Sequence, residues 1–306
     1  MLSGTIQQAT ITRATSAQTA PIAALHANVS PARVRVSFRS KYVPLFTRVS
    51  HMGWDRQRAT TARYLLEGYA ADLTARIRPS GLPKHQLTYV MHIEKTGGTS
   101  FRYALYDRFR QSEMFPNVYH EYLRKGRGFV LWDDVEAHPD RFITARTELI
   151  MGHFGLRPLE LLNPPPLVAT FLRDPISRMR SAIDFNRQPG RRYDGLSMDE
   201  VLSRHAWREG SMQAQAFGYN HDLDNIDGVI ETFSRIDFVG FFENYERDMA
   251  RFSDFLGLSD RLPVVRRNIT GQRCELTASQ LEKLHYFARP DQQLYDAARA
   301  MRQPSP

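Results

Sequence analysis

The chain has 306 residues, 42% hydrophobic and 24% charged, the balance of an ordinary globular protein; this excludes a wholly disordered chain, a collagen-like fibre and a coiled-coil rod. Its formal charge of +8 is unevenly placed: residues 1–54 hold six basic residues and no acid, and the remainder carries 35 basic against 33 acidic residues, so the body must bind any anion through a local site and not a global field. A single cysteine, Cys274, excludes an intrachain disulfide, a zinc finger and an iron–sulfur cluster, and no apolar run approaches the roughly 20 residues of a membrane span.

Residues 1–54, rich in Ala, Thr, Ser and Gln without apolar periodicity, read as a disordered basic arm. Their acid-free, Ser/Thr/Arg-containing start also has features of an organelle transit peptide. Residues 55–84 form an accessory helix and linker: Leu65, Tyr69, Leu73 and Ile77 recur on one face, and Pro79, Gly81 and Pro83 stop the helix. The main domain, 85–306, shows strand-like runs over 89–93, 149–151, 167–172 and 238–240. Helical stretches follow over 99–110 and 176–186, and another carries Phe242, Tyr245, Met249, Phe252 and Leu256 on one side. Ser197 with Glu200 and Thr277 with Gln280 have the spacing of capping boxes. Strands alternating with helices predict an α/β fold with a mainly parallel sheet flanked by helices.

The most informative segment runs from His92 to Phe101. A strand enters a turn containing Lys95, Thr96, Gly97, Gly98, Thr99 and Ser100, which opens a helix. Glycines let backbone amides approach a phosphate, the helix N-terminus adds donors and a positive dipole end, and three hydroxyls and a lysine complete a phosphate cradle. The lysine precedes the glycines, so this is not the Walker arrangement. A second segment, Thr170 to Ser181, places Arg173 at the carboxyl end of a buried strand, where open α/β sheets bind ligands, with Pro175 starting a helix and Ser181 two turns on. Taken alone, Arg-Asp-Pro suits a structural ion pair equally well. Between the two motifs His153 ends a strand after Gly152, the place for a group that titrates near neutrality. His92 reads as structural, Glu94 as facing away or meeting a cation, and Arg178 and Arg180 as a solvated helix face.

The run His-Ile-Glu-Lys-Thr-Gly-Gly-Thr-Ser-Phe over 92–101 resembles the 5′-phosphosulfate loop of sulfotransferases that use 3′-phosphoadenosine 5′-phosphosulfate (PAPS), closest to the heparan sulfate 2-O- and 6-O-sulfotransferase group. Glu94 departs from that group's usual Pro or Gln. The resemblance covers roughly residues 87–295 and implies a P-loop-like sheet in a single catalytic domain. It implies that Lys95 and the turn hold the 5′-phosphosulfate, that Arg173 and Ser181 hold the 3′-phosphate, and that His153 is the general base. It further implies that a loop with Arg267, Asn268 and Thr270 closes over the nucleotide. The expected reaction moves a sulfuryl group from PAPS to an acceptor hydroxyl, on a glycan or other carbohydrate, leaving adenosine 3′,5′-bisphosphate (PAP), with no metal, nucleic acid or membrane involved. Segments 111–127 and 188–218 are the expected acceptor loops, with Arg124, Arg187, Arg191 and Arg192 facing an acidic sugar. The lone cysteine and missing anchor suggest the cytoplasm. A P-loop nucleotide kinase and a non-catalytic nucleotide- or polyanion-binding protein are the alternatives.

Overall fold

A computed structural model describes residues 86–106, 108–117, 132–221, 225–264 and 275–302. The basic arm, the accessory helix, Arg124, Arg267, Asn268 and Thr270 lie outside the described residues.

Five strands form one sheet: β1 (Thr88–Met91), β2 (Met114–Phe115), β3 (Leu149–Gly152), β4 (Leu167–Leu172) and β5 (Phe238–Phe241), in the spatial order β2-β3-β1-β4-β5. Every pairing is parallel, with Met91 opposite Gly152 on one side and Thr170 on the other. Both faces are buried, which explains why the strands read as apolar runs and not as alternations. Tyr89, Met91, Ile150, Val168, Leu172 and Phe241 pack into one core; Val90, Leu149, Met151, Ala169, Phe171 and Phe238 point the other way into a second. The strand period of two thus divides each strand between two helical layers.

The described helices are α1 (Gly98–Tyr106), α2 (Trp132–Ala137), α3 (Pro139–Phe142), α4 (Arg157–Leu161), α5 (Pro175–Asn186), α6 (Met198–Gly210), α7 (Met212–Ala216), α8 (Ile226–Phe233), α9 (Tyr245–Phe255), α10 (Ala278–Phe287) and α11 (Arg289–Arg302). Residues of α1 and α9 fill the second core, whereas residues of α8 and α11 fill the first. A third cluster joins α5, α6 and α10 through Met179, Ile183, Val201, Leu202 and Leu284. Both expected capping boxes are formed, at Ser197 with Glu200 and at Thr277 with Gln280. The segment 188–218, expected as an acceptor loop, is largely α6 and α7, so only its first part is open chain. Among the described residues no helix is long and apolar enough to cross a membrane, and no group of three or more His, Cys, Asp or Glu residues is placed to hold a metal.

Candidate functional site

Four parallel strands end side by side, and each delivers a candidate residue at its carboxyl end: His92 after β1, His153 after β3, Arg173 after β4 and Phe242 after β5. The ladder extends one residue past β1, where the His92 amide donates to the Gly152 carbonyl at 2.9 Å, and the Thr170 hydroxyl donates to the Met91 carbonyl at 2.9 Å. These bonds fix where the chain leaves the sheet and enters the glycine turn.

Within the turn Lys95 has φ +70° and Gly97 φ +93°. Glycine enters this left-handed region freely; for lysine it costs roughly 1 kcal/mol or more, and strain of this kind gathers at ligand-binding turns. Each glycine is also required by a neighbour: a Cβ on Gly97 would lie 2.7 Å from the Phe242 ring, and one on Gly98 would lie 1.6 Å from His92 Nε2. Thr96 is buried, and its hydroxyl donates to the Ile93 carbonyl at 2.9 Å, so it braces the turn internally. Thr99 is exposed and Ser100 buried at the start of α1, whose positive dipole end and first-turn amides border the turn.

The two anion motifs meet. Arg173 Nη1 donates to the Lys95 carbonyl at 2.9 Å, and the guanidinium lies 4.6 Å from the centre of the Phe242 ring. Lys95 Nζ sits 4.0 Å from the centre of the Phe185 ring, and the Arg191 guanidinium 4.2 Å from the same ring. Neither Lys95 nor Arg191 has an ion pair among the described residues. Burial, and then Arg173, push the Lys95 pKa below the ordinary lysine value; Arg191 and Arg178 add to the effect and Glu94 opposes it. Several cations converging on one strained turn form a site that a multiply charged anion would relieve. Ser181 is nearly buried on α5, three residues after Arg178 and four before Phe185, and so shares their stripe.

His153 stands at the exposed rim, and its Nδ1 lies 2.8 Å from the His92 carbonyl. A carbonyl can only accept, so Nδ1 carries the proton and Nε2 is the basic nitrogen. The two imidazoles pack with ring centres 4.3 Å apart and planes tilted by 33°, and the His92 ring also packs directly against Gly98. Surrounding protein, and then Arg102, hold the His153 pKa below the usual imidazole value, against an opposing pull from Glu94. Burial, together with His153 and Arg102, lowers that of His92 well below it. Glu94 therefore lies near both Lys95 and His153, where its charge favours their protonated forms.

Arg178 is corrected by the structure: it is fully buried and pairs with the fully buried Asp291 at 3.5 Å, and is no part of a solvated face. Helical spacing cannot separate a buried arginine from an exposed one when its partner lies 113 residues away. His92 has a larger part than its structural reading, since its ring and carbonyl set the position of His153. Phe185, Phe242, Gln213 and Asp291 also border or support the site, and no motif in the sequence points to Gln213 or Asp291.

No protein-family model matches the chain, and no curated protein matches it.

Proposed function

We propose that the chain is a PAPS-dependent sulfotransferase on a P-loop-like α/β domain, acting on a hydroxyl acceptor of carbohydrate type. The observation that carries the reading is the meeting of the two anion motifs, in which Arg173 donates to the Lys95 carbonyl while Lys95 and Arg191 share Phe185 without ion-pair partners among the described residues. A donor with charge at two separated phosphates suits this distribution, and all of its cations are side chains. Lys95 and the amides of the turn would hold the 5′-phosphosulfate, and Arg173 and Ser181 the 3′-phosphate.

In the reaction the acceptor oxygen forms a bond to sulfur as the bond from sulfur to the 5′-phosphate oxygen breaks, and PAP leaves with that electron pair. The acceptor proton passes to His153 Nε2, which the bond from Nδ1 to the His92 carbonyl leaves as the acceptor atom. A lowered His153 pKa keeps the base neutral at physiological pH. Lys95 stabilises the charge that grows on the leaving phosphate, the larger part of its effect falling in the transition state.

A transfer screen with labelled PAPS against sugars, polysaccharides and small alcohols tests the reading. Label transfer that requires His153 supports it. Turnover of ATP with Mg²⁺ and no response to PAPS would favour a nucleotide kinase; tight PAP binding without transfer to any acceptor would favour a binding protein.

A further inference from the structure

Gln213 is fully buried at the second position of α7, and both polar atoms of its side chain bond the backbone of Arg173. Its Oε1 accepts from the Arg173 amide at 2.9 Å, and its Nε2 donates to the Arg173 carbonyl at 2.9 Å. The carboxamide thus pairs with Arg173 as a neighbouring strand would, at the point where β4 has run out of strand partners for that residue. Gln213 is held in turn by Asp291: the Gln213 and Ala214 amides donate to its two carboxylate oxygens at 3.2 and 2.8 Å. Asp291 opens α11 and faces the buried Arg178 of α5.

Resting on the donor reading above, we propose that Gln213 is a positioning residue that sets the register of Arg173 against the nucleotide 3′-phosphate, with Asp291 anchoring it to the C-terminal helix. The reasoning is geometric. The Arg173 side chain is held by the Lys95 carbonyl and the Phe242 ring, among other contacts. Neither fixes the backbone from which it springs, and a bidentate phosphate contact tolerates little displacement. Gln213 holds that backbone directly, through both its amide and its carbonyl, while the Glu243 carboxylate accepts from the next amide, that of Asp174. Because Gln213 is itself buried, it acts through Arg173 and not by touching the nucleotide.

The test compares two probes that differ only in the 3′-phosphate, PAP and adenosine 5′-monophosphate, by calorimetric titration of the whole chain. In wild type PAP should bind the tighter. Gln213→Met, which keeps the volume and removes both hydrogen bonds, should reduce that preference about 10-fold or more while leaving the monophosphate affinity within about 2-fold. Gln213→Asn, which withdraws the amide by one methylene and keeps its polarity, carries the same expectation if the Met variant fails to fold. Combined with Arg173→Ala, either substitution should add little, since both remove one function. A folded Gln213 variant with an undiminished preference for PAP overturns the inference and leaves the donor reading standing. A wild-type protein that does not distinguish the two probes overturns both.

Discussion

Gly98→Ala sets two physical effects of opposite sign against each other. Gly98 opens α1 and has no positive φ, so helix propensity and the reduced entropy of the unfolded chain would make alanine stabilising by about 0.4–1 kcal/mol. Sterics point the other way. The new methyl would lie 1.6, 1.9 and 2.3 Å from three atoms of the His92 ring, well inside any real contact distance. The His153 ring packs against it with centres 4.3 Å apart, which limits the room for it to move. Overpacking of this kind costs about 1–3 kcal/mol, which matches or outweighs the propensity gain and gives a net loss of up to about 2.6 kcal/mol. At roughly 2–4 °C per kcal/mol this lowers Tm by up to about 10 °C. Denaturant unfolding measures the loss directly, and His92→Ala in the Gly98→Ala background should recover part of it by making room for the methyl. A Gly98→Ala protein more stable than wild type would refute the close packing of Gly98, His92 and His153.

The same packing bears on His153, the proposed base. His153→Ala should lower turnover by about 10²–10⁴-fold with little change in PAP affinity, and the wild-type rate should rise with pH through a midpoint below the ordinary imidazole value, a limb absent from the variant. Stability carries a related signature. The depressed pKa of His92, whose two ring nitrogens are buried, means that the unfolded chain binds its proton more readily, so this contribution is complete above about pH 6.5 and is lost as pH falls towards the folded value. Subtracting the pH–stability profile of His92→Phe isolates it from Asp291, which burial pushes up to about 6 and whose effect has the opposite sign; a flat difference would contradict the burial of the His92 ring nitrogens. Asp291→Asn, which leaves Arg178 buried without its counter-charge, should cost about 3–5 kcal/mol in denaturant unfolding, and a loss under 1 kcal/mol would contradict the pair.

What could be read from the sequence follows from the range of the forces involved. The strand at 167–172 and the helix 176–186 are recovered to within a residue because a buried parallel strand is a continuous apolar run and Asp174-Pro175 is a local start signal. Asp174 indeed caps the helix, accepting from the Ser177 amide at 2.8 Å. The helix expected over 99–110 ends at Tyr106, since its apolar pattern continues past the point where the helix itself stops. β2, two residues long, has no period to detect. At the site, Lys95, Gly97, Gly98, His153 and Arg173 stand out because each sits at a strand end beside a turn signal. Gln213 and Asp291 do not, because their importance lies in hydrogen bonds to residues 40 and 77–78 positions away. The burial of Arg178 is hidden for the same reason: its spacing on α5 carries no information about Asp291.

The central claim is that Lys95 and Arg173 are two halves of one donor site, and titration of PAP into wild type and Arg173→Ala tests it most directly. PAP should bind wild type more tightly than either adenosine 5′-monophosphate or ATP with Mg²⁺, and Arg173→Ala should lose PAP affinity while keeping its affinity for the monophosphate. Equal binding of all three nucleotides by wild type, or an unchanged PAP affinity in Arg173→Ala, would contradict the account.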